Sequence, residues 1–145
     1  MRIALAVDGS RSSSAAARHV LSLQRSLATR EPVVLIYVDE PLLQAVALKL
    51  GVAGTQRYHD ENATYALRSV RAAFKRAGIA FRERLLMGEA APKILDAVRK
   101  ERCDLLVMGS HGRGAIKSLF LGSVTMKVIA QSKVPVTVVR GRATD

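Results

Sequence analysis

Five short apolar runs, each parted from the next by a stretch patterned for helix, constrain this chain more than any other feature. The runs are Ile3 to Val7, Pro32 to Glu40 ("PVVLIYVDE"), the segment around Phe81 to Met87, "CDLLVMGS" from Cys103 to Ser110, and "VPVTVVR" from Val134 to Arg140. Runs of this length that are rich in Val, Ile and Leu, with little alternation, suit strands buried on both faces. Between the first two, Ala16, Val20, Leu23 and Leu27 recur at helical spacing with Arg18, Gln24 and Arg25 off the stripe. Any of Ser12, Ser13 or Ser14 is placed to cap that helix. Ala63, Ala66, Leu67, Val70, Ala73 and Phe74 make a second stripe from about His59 to Ala77, with Gly78 as its stop. Ala91, Ile94, Leu95 and Val98 make a third, with Pro92 tolerated in the first turn. Val124, Val128 and Ile129 mark a fourth.

Strands alternating with helices predict right-handed parallel crossovers and a doubly wound α/β sheet. With five strands the expected order is 3-2-1-4-5, which sets the first and fourth strands side by side at the topological switch point. The third run alternates charge with apolar residues and reads as an edge strand. Residues 41–57, "PLLQAVALKLGVAGTQR", carry Gly51 and Gly54 and read as an irregular excursion over the carboxyl edge of the sheet. At 145 residues, with no linker or repeat, one domain spanning residues 1–145 is expected. Hydrophobic residues are 49% of the chain and aromatics only 4%, so the core must be aliphatic.

The chain carries 23 Lys and Arg against 12 Asp and Glu, a net charge of +11. That charge speaks to solubility or to an anionic partner. The positive residues are scattered and lack aromatic platforms, so nucleic acid is not the expected ligand. Arg68, Arg71, Lys75 and Arg76 lie off their apolar stripe, as a solvated helix face does. Cys103 is the single cysteine, which excludes an internal disulfide. It reads as a small buried residue rather than a reactive thiol. No run approaches the roughly 20 apolar residues of a membrane helix, and the first residues lack a cleavage pattern. A cytoplasmic protein with no membrane partner is the expectation.

The chemistry concentrates in "MGSHGRGAIKSLFLGSVT", Met108 to Thr125. It leaves the fourth strand at the mouth of the expected crevice, so Asp8, which ends the first strand, should be its neighbour in space. Gly109, Gly112 and Gly114 permit positive φ and close approach to a bulky group, and successive amides in such a turn converge on an anion. Gly122 and Ser123 open the last helix, where Ser123 is suited to cap and the amides of Val124 and Thr125 face the same space. A helix N-terminus is a ready seat for phosphate. His111, Arg113 and Lys117 add donors. The alternative is a long connection whose glycines only permit a turn. Neither G-x-x-x-x-G-K-[ST] nor G-x-G-x-x-G is present, and the strand ends lack a receiver's acidic cluster.

The stretch resembles the universal stress protein family, whose nucleotide-binding members carry G-x2-G-x9-G-[ST] after the fourth strand. Gly109, Gly112, Gly122 and Ser123 stand at that spacing. "VDGS" and "VVLIYV" are similar to family sequence at the ends of the first and second strands. The resemblance implies a Rossmann-like fold of the adenine nucleotide alpha hydrolase type, with ATP across the carboxyl ends of strands one, two and four. Ala6, Val7, Asp8 and the backbone of Val38 would face adenine. Met108, Gly109, His111 and Gly112 would border ribose and phosphates, and Gly122, Ser123, Val124 and Thr125 would hold the distal phosphates. Mg²⁺ or Mn²⁺ would bridge phosphate oxygens, with no protein-built metal cage in view.

No catalytic residue is assigned. His111 beside a phosphate reads as a binder, and His19 and His59 lack a Ser, Cys or metal partner for a triad. The expected activity is that of an ATP-binding regulatory or sensor module in stress response, with at most slow hydrolysis. A slow ATPase or nucleotide-transferring enzyme in the same pocket is the alternative, and a nucleic-acid-binding scaffold the third reading. The last strand, Val134 to Arg140, exposes unpaired backbone at a sheet edge, and the resemblance likewise implies a homodimer through it. A monomer guarded by Arg140 and Arg142 is the alternative.

Overall fold

A computed structural model describes residues 1–27, 31–112 and 121–141. The elements run β1 (Ile3–Ala6), α1 (Arg11–Ser26), β2 (Val33–Asp39), α2 (Gln44–Arg76), β3 (Phe81–Met87), α3 (Ala90–Lys100), β4 (Leu105–Gly109), α4 (Ser123–Gln131) and β5 (Val136–Val139). The sheet is parallel, in the order β3-β2-β1-β4-β5, as the alternation predicts.

Side-chain alternation along the strands divides the core in two. Leu5, Leu35, Tyr37 and Val107 face α1 and α2, where Val20, Leu67, Val70 and Phe74 cover them. Ala4, Ala6, Val34, Ile36, Leu106 and Met108 face the other way, onto Ile94 and Val98 of α3 and Val128 of α4. Leu5, Leu35, Leu67 and Phe74 are fully buried, and each such side chain contributes about 1.5–3 kcal/mol through burial. Strand β3 lies at the edge with Arg82, Arg84, Leu85 and Met87 exposed, so the alternation of charge reflects a half-solvated strand. Arg82 and Arg84 both pair with the buried carboxylate of Glu101, which therefore does not stand alone in an apolar setting. Cys103 is buried, and burial together with the Glu101 charge raises its thiol pKa to about 11. Arg71 pairs with Glu83 of β3 at 2.6 Å, so one member of the helix's basic run is spoken for.

Two boundaries differ from the sequence reading. Residues 41–57 are not an irregular excursion: the helix begins at Gln44 and bends at Gly51, whose φ of 70° and ψ of 178° no other residue adopts cheaply. A single glycine kink lets two helical pieces join where a break is expected. Thr55 Oγ1 donates across the bend to the Ala47 carbonyl at 3.4 Å. Helix α1 is capped by Ser10, not by Ser12, Ser13 or Ser14, and the Ser10 hydroxyl accepts from the Ser13 N–H at 3.1 Å. Three adjacent serines are equivalent to a capping argument, and only the chain's exit angle from β1 selects the residue before them. Gly78 follows α2 at φ 66°, and Ile79 N–H closes on the Phe74 carbonyl at 3.1 Å, so the expected stop is a Schellman turn.

Candidate functional site

Strands β1 and β4 are neighbours, and the chain leaves their carboxyl ends in opposite directions, to α1 and to α4. Between these exits lies a cleft of about 360 Å³. Ala6, Val7 and Asp8 line it from β1, and Val38 from β2. Met108, Gly109, His111 and Gly112 line it from β4 and the turn that follows, and Gly122, Ser123, Val124 and Thr125 from the start of α4. All the residues singled out in the sequence thus share one cavity. Gly114, Arg113 and Lys117 lie outside the described residues.

Ser13, Ile36, Ala90 and Ile94 also line the cleft and were not anticipated. Ile36 could have been found, since it lies two residues before Val38 and hence on the same face of β2. Ala90 and Ile94 could not, because only the packing of α3 beside α4 brings them to the rim.

The two halves of the glycine stretch are joined directly. The Gly122 N–H donates to the Ser110 carbonyl at 2.7 Å, and a Cβ on Gly122 would lie 3.6 Å from the nitrogen of Gly112. Gly122, at φ −71° and ψ 158°, is the N-cap of α4, and no side chain caps this end. Ser123 is therefore the first helical residue and not the cap. Met126 makes the first intrahelical bond, to the Gly122 carbonyl at 3.0 Å, so the amides of Ser123, Val124 and Thr125 form the electropositive end. The Thr125 hydroxyl is spent internally, donating to the Gly109 carbonyl at 3.0 Å.

The glycines after β4 serve space rather than unusual backbone angles. Among the described residues, positive φ occurs at Gly9, Gly51, Gly78 and Gly88, not at Gly109, Gly112 or Gly122. A Cβ on Gly109 would lie 2.7 Å from the Ser12 carbonyl carbon and 2.8 Å from the Ser13 nitrogen. Gly109 thus admits the first turn of α1, not a ligand. At Gly112 a Cβ would lie 3.1 Å from Asp8 Oδ2, so glycine there leaves room for the carboxylate.

Asp8 Oδ1 accepts the Ser10 N–H at 2.9 Å, which fixes the carboxylate at the cleft wall. Ser10 and Ser12 both donate their hydroxyls to the His111 carbonyl, tying α1 to the turn after β4. His111 Nδ1 lies 2.9 Å from the Ser110 hydroxyl. The floor between these polar walls is apolar, built from Ala6, Ile36, Val38, Ile94, Met108 and Val124. Asp8 is the one carboxylate among the described lining residues, and no group of three or more metal-ligating side chains occurs among the described residues. A flat apolar group on the floor, with an anion at the helix end, is what such a cavity can hold.

Comparison with known proteins agrees with this architecture. The family model described as the universal stress protein family matches residues 1–140. The chain is 28% identical over 153 residues to universal stress protein MJ0577 of Methanocaldococcus jannaschii, covering 96% of this chain and 94% of that protein. A shorter match, 52% identical over 56 residues, links it to a Thermus aquaticus universal stress protein and spans 41% of that relative. The solved structure of MJ0577 superposes with a TM-score of 0.80 at 24% identity, covering 99% of this chain and 97% of that one. An Arabidopsis thaliana family protein crystallised with AMP bound superposes at 0.69 with 18% identity, covering 99% of this chain and 93% of that one. A universal stress protein in complex with cAMP superposes at 0.67 with 23% identity, covering 97% of each chain. The match over nearly the whole length, on the same five-stranded order, has one consequence: the chain belongs to the universal stress protein family.

Proposed function

We propose that the chain, acting as one domain, is an ATP-binding regulatory module of the stress response, holding its nucleotide in the β1–β4 cleft. The observation that carries this reading is the junction of the two glycine halves: Gly122 N–H on the Ser110 carbonyl sets the end of α4 against the turn after β4. In this arrangement adenine lies on the apolar floor beside Asp8 and the Val38 backbone. Ribose lies along Met108 and Gly109, and the phosphates meet the amides of Ser123, Val124 and Thr125 with His111 and Gly112 opposite. The relatives crystallised with AMP and with cAMP support an adenine nucleotide of some kind. With Asp8 the one carboxylate among the described lining residues, Mg²⁺ or Mn²⁺ would arrive on the phosphates rather than in a protein cage. The role is placed in the cytoplasm, and a homodimer through β5 completes the proposal.

Denaturing freshly purified protein and identifying the nucleotide released tests the reading. ATP at close to one equivalent is the expected result. Protein that carries no adenine nucleotide and takes none up in calorimetry overturns it. Single-turnover measurement with γ-labelled ATP then separates a holder from an enzyme, since turnover near 1 s⁻¹, on the order of ordinary enzymes, is incompatible with a binding module.

A further inference from the structure

Strand β2 ends between two cavities. Val38 faces the β1–β4 cleft, while Tyr37 and Asp39 face the opposite side and a second pocket of about 190 Å³ under α2. There Asp39 Oδ2 takes the Asn62 amide at 2.9 Å and lies 2.8 Å from His59 Nδ1. Burial pushes the Asp39 carboxyl up, but the hydrogen bonds from His59 and Asn62 and the charge of His59 outweigh it, and the net pKa is lowered. Asp39 is therefore a carboxylate at neutral pH, and the proton between it and His59 belongs on Nδ1.

That clasp fastens α2 to β2, yet it leaves part of the pocket unexplained. The His59 side chain is only 8% exposed, and its Nε2 is buried without a hydrogen-bond partner. With Nδ1 carrying the proton, Nε2 of the neutral ring is an acceptor, and an unmet buried acceptor is costly. Asp60 adds a second carboxylate at the exposed rim, where it is bridged only to Gln56, at 2.9 Å, one turn earlier on the same helix. The facing wall is apolar, from Leu86 and Met87, and Met87 stays 45% exposed. No Lys or Arg lines the pocket, in a chain of net charge +11. Anions are thus disfavoured, and the described residues offer no cluster able to ligate a metal ion.

We propose that this second pocket is a binding site for a short protonated aliphatic amine, whose ammonium group meets Asp60, Asp39 and His59 Nε2 and whose alkyl chain lies on Leu86 and Met87. Entry requires Gln56 to swing aside, and its one partner, Asp60, is the group the ammonium engages. The site is separate from the nucleotide cleft and does not depend on it.

Full-length protein carrying ¹³C-methyl methionine, titrated with 1,4-diaminobutane, tests this, because Met87 lines the second pocket and Met108 the cleft. The expected result is a saturable shift of the Met87 methyl with Met108 unmoved, and a change in the His59 ring ¹⁵N signals as Nε2 gains a donor. Asp60→Asn, at an exposed position, should weaken the response about fivefold, the scale of an exposed ion pair. An unmoved Met87 signal overturns the proposal and leaves the Asp39–His59 pair as a fastening alone. A response equal with neutral 1,4-butanediol, or undiminished in Asp60→Asn, overturns it as well.

Discussion

Gly122 donates its N–H to the carbonyl of Ser110 at 2.7 Å, so the chain leaves the end of β4 and returns to it. The next atoms a side chain at 122 would meet are His111 Cα and the Ser110 oxygen, both at 3.4 Å. A single methyl fits there, and the γ-carbons of valine do not. Gly122→Ala should therefore fold normally with modestly weaker nucleotide binding, while Gly122→Val should lose at least tenfold in affinity, about 1.4 kcal/mol. Calorimetry on both variants, with circular dichroism as the check on folding, reads the difference. Unchanged affinity in a folded Gly122→Val protein would remove the end of α4 from the site.

Gly109 makes a contrasting case. Its missing side chain is filled by the backbone of Ser12 and Ser13, at 2.7 and 2.8 Å from an added Cβ, and backbone cannot rotate away. Gly109→Ala should cost about 1–3 kcal/mol of stability, the range of overpacked sites. Urea unfolding measures it. A midpoint equal to that of the parent protein contradicts the close approach of α1 to β4.

These two glycines show where sequence reasoning reached and where it stopped. Their spacing identified the cleft, because a motif's residues converge whatever each one does. Their separate jobs were hidden: Gly109 faces a helix nearly a hundred residues earlier in the chain, and that contact leaves no local trace. The same holds for Asp39 and His59, which have no spacing to mark them as a pair. The strands were legible because β-branched apolar runs have few alternatives in a chain of this size. The 41–57 segment was misread because glycine signals a break without specifying whether helix resumes beyond it.

Acid should expose the Asp39 contribution. Its folded pKa is lowered from an unfolded value of about 3.9. The carboxylate therefore stabilises the fold fully above about pH 4, and the contribution is lost as pH falls through the lower folded value. Asp39→Asn should accordingly be less stable than the parent by a constant margin between pH 5 and pH 7, and the margin should narrow below pH 4. Urea midpoints measured across that range give the answer. A margin that persists unchanged at pH 3 assigns the loss to packing instead.

The other edge of the sheet bears on assembly. All of Val136 to Val139 is only half-buried, and α4 beside it exposes Met126 at 59% and Ile129 at 45%. An edge strand flanked by apolar side chains is an invitation to pair, and a twofold copy would match β5 with itself. We expect sedimentation at micromolar concentration to give a dimer, and Ile129→Lys, which sets charge against charge across the axis, to shift it toward monomer. Gly122→Val should leave the association intact, because the cleft and the edge are built from different parts of α4. A protein that sediments as a monomer at every micromolar concentration, or a dimer indifferent to both Ile129→Lys and Met126→Glu, rules out this edge as the interface.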